Sequence, residues 1–222
     1  MRSPYRIPLL RFLVLILALA VGSAFAEPAF KVAVDTSKAP ECEAFAAKSR
    51  TIVEEWYPRI NEILFEKGHP LPFAEITLIF EPMKGVASTK KNVMHISAEW
   101  VTKKAPNDYG MIVHELTHVV QDYQGKGEFW LTEGIADYVR DRHFEPGIRH
   151  HRIDPATSSY RQAYGTAATF LIWLEAHKDK DLVRQLNIAS HDGQYAPALF
   201  QEYCGADLDT LWREFAETYR QP

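Results

Sequence analysis

Met111-Ile112-Val113-His114-Glu115-Leu116-Thr117-His118-Val119-Val120-Gln121 is followed, after a short connection from Gly125 to about Leu131, by Thr132-Glu133-Gly134-Ile135-Ala136-Asp137-Tyr138. In the first run Ile112, Val113, Leu116, Val119, Val120 and Tyr123 supply the buried sides of an amphipathic helix, predicted from Asp108 to about Gln124. Asn107 or Asp108 is placed to cap it and Gly125 to end it. Residues four apart on a helix share a face, about 6 Å apart along the axis. His114 and His118 can therefore ligate one ion, with Zn–N bonds of about 2.0–2.1 Å. Glu115 stands beside the first imidazole, where it can act as general base toward a water. HExxH alone recurs by chance, so its context decides.

A catalytic zinc takes a third protein ligand and keeps one position open. The metzincin arrangement would put Gly three residues and His or Asp six residues after His118; Gln121 and Gln124 stand there, which excludes it. Glu133 and Asp137 are again four apart, on a second helix predicted from about Thr132 to Arg142. Their spacing matches the Glu-zincin arrangement, in which a glutamate from a second helix completes the metal shell. Asp137, one turn on, is suited to accept the N–H of a ligand imidazole. The short connection predicts antiparallel neighbours, with Gly134 expected to let the second helix approach the first. Alone, the two acids read as a solvated helix face. Beside HExxH, two buried carboxylates call for a cation. His150 and His151 are the alternative third ligands.

Upstream, Lys31–Asp35, Ile76–Phe80 and Val93–Ser97 are predicted strands, the last preceded by a Gly- and Lys-containing loop. Val93–Ser97 is expected to line the cleft, with His95 a packed or edge histidine. Between the first two strands, apolar residues at helical spacing from Glu41 to about Phe65 predict a helix that Pro58 should kink or split. Downstream, helices are predicted at 160–176, 181–188 and 208–219. Arg140 and Asp141 read as ordinary helix-surface residues, and Trp100, Trp173 and Trp212 as core. Strands first and helices afterwards make an α+β domain, a small N-terminal sheet followed by a mostly helical C-terminal half.

Several runs together resemble the basic secretory protein family, exported peptidases of plants with microbial relatives. They are Gly85-Val86-Ala87 through Met94-His95-Ile96-Ser97-Ala98, His114-Glu115-Leu116-Thr117-His118-Val119-Val120-Gln121 and Glu133-Gly134-Ile135-Ala136-Asp137-Tyr138-Val139-Arg140. Tyr164-Gly165-Thr166-Ala167-Ala168-Thr169-Phe170-Leu171 and Leu208-Asp209-Thr210-Leu211-Trp212 extend the likeness. The resemblance implies a zincin-like peptidase fold with His114, His118 and Glu133 as zinc ligands and Glu115 as the catalytic residue. Tyr164, in a matching stretch, is the expected donor to an oxyanion, with Tyr160 in reserve. The chain departs from the family's name in being acidic.

The chain has 222 residues. Arg2, Arg6 and Arg11, the uncharged run Phe12–Ala26 and the small-residue site Ala24-Phe25-Ala26 have the anatomy of a signal peptide, with cleavage expected after Ala26. The uncharged run is shorter than the roughly 20 residues of a spanning helix, which argues against the alternative of an uncleaved membrane anchor; no stable membrane insertion is expected after cleavage. Residues 27–222 are expected to form one domain, secreted or periplasmic. Three of the 25 basic residues and none of the 29 acidic ones lie in the leader, so the remainder carries a net charge of −7. Without a basic stripe that excludes a nucleic-acid binder and leaves a peptide or protein substrate as the partner. Cys42 and Cys204 are expected to be bridged if exported, with two reduced core thiols as the alternative. The competing function is an exported zinc-binding module for adhesion or envelope assembly, which would have no use for Glu115.

Overall fold

The computed structural model describes residues 30–125 and 127–220; the leader expected at 1–26 lies outside the described residues. Lys31–Asp35 (β1), Glu75–Glu81 (β2), Ala87–Lys90 (β3) and Val93–Ser97 (β4) form one sheet in the order β1-β2-β4-β3. β1 and β4 flank β2 in parallel, and β3 runs antiparallel to β4. Along β2, Ile76, Leu78 and Phe80 are fully buried and their neighbours are not, the alternation of a sheet with one face on the core.

Hydropathy conceals β3. Ala87-Ser88-Thr89-Lys90 has no apolar face, so it reads as a loop. It is held by its ladder to β4 across the two-residue turn Lys91–Asn92, where Lys91 takes a φ of 54°. As the last strand in the order, β3 leaves its outer edge without a strand partner among the described residues.

Parallel β1 and β2 require a crossover, supplied by Glu43–Leu64 (α1). The predicted break at Pro58 does not occur; one continuous helix runs through it. An interior proline costs about 3 kcal/mol, but Ile52, Val53, Tyr57, Ile60 and Leu64 form one buried face, each worth about 1.5–3 kcal/mol. The Tyr57 hydroxyl, accepting from the Phe73 N–H at 2.9 Å, ties that face to the loop before β2.

Gly110–Gln121 (α2) carries the HExxH run through the middle of the domain, against α1, β3 and β4. Asp108 serves its start, accepting from the Met111 N–H at 3.3 Å. The helix ends earlier than predicted, at Asp122 with φ 29° and not at Gly125. Phe129–Tyr138 (α3) follows and continues as a wider π-helical run, Val139–Phe144. A single 3-10 turn at Tyr160–Gln162 precedes Tyr164–His177 (α4). Leu182–His191 (α5), Leu199–Cys204 (α6) and Leu208–Glu217 (α7) complete the helical half; α6 was not foreseen. The architecture is α+β, a small N-terminal sheet followed by helices.

Two packing expectations are corrected. Cys42 and Cys204 are both free thiols. Burial raises the thiol of Cys42 and pushes that of Cys204 up to about 11, so both pack as small hydrophobes. Gly134 does permit a close approach, but to α4: a Cβ there would lie 2.8 Å from the Ala167 Cβ. Overpacking costs roughly 1–3 kcal/mol and exceeds the ~1 kcal/mol by which Ala is the better helix former. Gly134→Ala is therefore expected to lower stability by about 1 kcal/mol, and by no more than about 2, as the difference of these two terms, read as a lower urea midpoint; a raised midpoint would show that α3 and α4 separate without cost.

Candidate metal centre

The two imidazoles of α2 and the carboxylate of Glu133 on α3 converge on one point. His114 Nε2 lies 3.2 Å from His118 Nε2 and 3.2 Å from Glu133 Oε2, and His118 Nε2 lies 3.5 Å from that oxygen. The far nitrogen of each ring is engaged. His114 Nδ1 sits 2.7 Å from Asp137 Oδ1, and His118 Nδ1 sits 2.7 Å from Gln121 Oε1. Gln121 donates its Nε2 to the Thr132 carbonyl at 3.0 Å, which fixes its oxygen toward the ring. Both partners accept, so both Nδ1 atoms carry the hydrogen and both Nε2 lone pairs face inward. Two lone pairs and a carboxylate oxygen at this separation repel unless a cation lies among them. The donor set, two neutral imidazoles and one carboxylate, fits a zinc-type ion with a position left open.

The same electrostatics favour a proton at that place. Burial works against a charged imidazole, but the Asp137 and Glu133 carboxylates outweigh it and hold His114 up at about 9. Glu133 is opposed by its own burial yet falls to about 2 through hydrogen bonds to His114 and His118. Asp137, almost wholly buried, is likewise held well below the usual carboxylate range by His114 and Arg149.

Glu115 is buried at 7% exposure and lines a cleft of about 850 Å³ together with His114, His118 and Glu133. Tyr164 lines the same cleft, its ring stacked on that of His114 at 6.2 Å and edge-on to Phe129 at 5.9 Å. Its backbone is strained. Ala163 (φ 60°, ψ −160°) and Tyr164 (φ 48°) are consecutive non-glycine residues at positive φ, a conformation that persists only when its surroundings enforce it. Here the loop after Phe144 presses on the turn, and a Cβ on Gly165 would meet the His151 ring at 1.9 Å.

Several expectations fail. Tyr160 turns away from the cleft, buried and donating to Asp209 at 2.8 Å. His151 pairs with Asp141 at 2.7 Å instead of joining the trio, and His150 lines a separate hollow. His95 pairs with Glu81 at 2.8 Å, and the sheet's contribution to the cleft comes from β3 residues Ala87, Ser88 and Thr89, not from Val93–Ser97. Arg140 and Asp141 are half-buried and ion-paired, not ordinary helix-surface residues: Arg140 pairs with Asp108 at 2.7 Å and with Glu145, and Asp141 with Arg149 at 2.9 Å. Asp137, Asp141 and His151 also come together, but the Arg149 guanidinium already bridges both carboxylates and fills the role of a cation there.

Sequence reasoning missed Gln121, Arg149 and Thr89. Gln121 stands three residues after His118 on the same helix, a spacing that signals contact. Arg149 comes from a loop, and Thr89 from the unrecognised β3, donating to Glu115 Oε2 at 2.6 Å; neither has a local signal.

Paired imidazoles, an acidic third donor and a spare glutamate in one cleft make a candidate hydrolytic metal site on an α+β domain. The family model described as "Peptidase of plants and bacteria" matches residues 28–215, and the chain belongs to this family of basic secretory proteins. No curated protein and no solved structure matches it.

Because His114 is held at about 9 without metal, a divalent cation must displace its proton at neutral pH. Affinity is therefore expected to rise about tenfold per pH unit from 7 to 8, measured by competition with a chelator. A flat profile would mean that His114 is already neutral in the metal-free protein.

Proposed function

We propose that this protein is an exported zinc-dependent metallopeptidase of the Glu-zincin type, with a zincin-like fold. The observation that carries the reading is the convergence of His114 Nε2, His118 Nε2 and Glu133 Oε2 within 3.2–3.5 Å, beside Glu115 in an open cleft. Membership in a peptidase family supplies the reaction class. The signal-peptide pattern of residues 1–26 supports the reading of export to the periplasm or the medium.

His114, His118 and Glu133 would hold the ion. Zinc so held supplies Lewis acidity, polarising a scissile carbonyl and easing deprotonation of the attacking water. The chain's own groups do the rest. Asp137 and Gln121 keep the Nδ1 hydrogens in place, so the ligand nitrogens stay aimed. Glu115 takes the proton of the attacking water on a carboxylate oxygen and passes it to the departing amine nitrogen. The Tyr164 hydroxyl, on the rim of the cleft, donates to the oxyanion of the tetrahedral intermediate. The unpaired edge of β3 offers backbone groups along which an extended peptide can lie.

A zinc-binding module without catalysis would need the three ligands alone. It leaves unexplained a carboxylate buried beside them and lining the same cleft. Glu115→Gln is expected to keep zinc at one ion per chain while proteolysis of a casein-type substrate falls by about 10²–10⁴-fold. Chelation should abolish the wild-type activity and added zinc restore it. A Glu115→Gln protein that still digests casein would refute the assignment.

A further inference from the structure

A glutamate on a helix has three rotatable bonds, and a general base must be held to a fraction of an ångström to be effective. Glu115 cannot be held by its ion-binding neighbours, whose ring nitrogens are all committed. Among the described residues the hydrogen-bond donor to its carboxylate is Thr89, from the middle of edge strand β3 and 26 residues earlier in the chain. The Thr89 hydroxyl lies 2.6 Å from Glu115 Oε2 and 3.1 Å from the Glu115 carbonyl. It has one hydrogen to give. The carboxylate oxygen is the nearer acceptor and the charged one, so it receives the bond.

We propose that Thr89 is a positioning residue that clamps Glu115 Oε2 and thereby assigns proton transfer to Oε1. The inference rests on Glu115 being the general base. With Oε2 occupied by a donor, a proton arriving from the attacking water settles on Oε1, and that same oxygen releases it to the amine. Both transfers then use one oxygen in one place, and the carboxylate need not rotate between them. The clamp also joins two functions of β3. Its backbone pairs with β4 through Thr89 and Met94, its outer edge has no strand partner among the described residues, and its Thr89 side chain holds the base. A peptide lying along that edge is thus placed relative to Glu115 by a single rigid element.

Thr89→Val keeps the β-branched shape and removes the donor, whereas Thr89→Ser keeps the donor and removes the methyl. In the zinc-loaded protein, Thr89→Val is expected to lower kcat about 10–100-fold with KM changed less than about twofold, by the cost of a loosened catalytic group. Zinc affinity, measured by chelator competition, should not change. Thr89→Ser should recover most of the rate. In a Glu115→Gln background, Thr89→Val should have no further effect, since the pair acts as a unit. Full kcat in Thr89→Val overturns the proposal. So does a loss expressed in KM or zinc affinity, a Thr89→Ser protein as slow as Thr89→Val, or an undiminished Thr89→Val effect on top of Glu115→Gln. If Glu115→Gln is inactive and Thr89→Val is normal, only the clamp is wrong; if Glu115→Gln is fully active, the general-base reading falls with it.

Discussion

Three acceptors brought within 3.2–3.5 Å of one another, with the hydrogens locked on the far side of both rings, set the terms for the whole domain. The arrangement is unfavourable by itself. A fold that holds it must either give up a proton-binding equilibrium to the site, as the raised His114 does, or bind a cation. The helical half is built to hold it. α2 is buried on nearly every side, so His114 and His118 cannot drift, and α3 is seated against α4 through Gly134 at a distance no larger residue permits. Glu133, on the residue before that glycine, inherits its position from this contact.

The two imidazoles are supported unequally. His114 leans on a charged group, Asp137, which leans in turn on Arg149, Asp141 and His151. His118 leans on a neutral amide whose orientation is set by a backbone carbonyl. The charged chain needs its counter-ion: a buried carboxylate stripped of Arg149 would cost several kcal/mol. Asp141 follows Asp137 by four residues across the junction of α3 with the π-helical run, and Arg149 reaches both carboxylates there. The same loop brings His151 onto Gly165, against the strained turn that presents Tyr164. The support of His114 and the placement of Tyr164 thus share one loop.

What could be read from the chain follows from how locally each feature is encoded. β1, β2, β4 and the long helices announce themselves by period, and His114, Glu115, His118, Glu133 and Asp137 by spacing within one or two helices. The meeting of Glu133 and Asp137 with the histidines was legible because only a short connection separates the two helices. Pro58 misled because a local cost was weighed without the buried face that offsets it. Gly134 was read correctly as a contact and wrongly as to partner, since nothing in a sequence says which helix lies opposite. The cysteine pair failed for the same reason: two thiols far apart in the chain meet only if the fold brings them together, and here it does not.

The hidden parts share a deeper cause. Thr89, Arg149 and the Ala163–Tyr164 turn do not obey the rules by which stable elements advertise themselves. β3 is polar because one edge and one face must stay available to the cleft, so it carries no hydrophobic alternation. The turn before α4 uses non-glycine residues where glycine would be easier, so it carries no turn signature. Departures from local consistency are expected where a protein works, and in this chain both β3 and the turn before α4 border the cleft. A strand with hydrophobic alternation would have carried an apolar side chain where Thr89 now donates to Glu115, and the base would lose that hydrogen-bond donor.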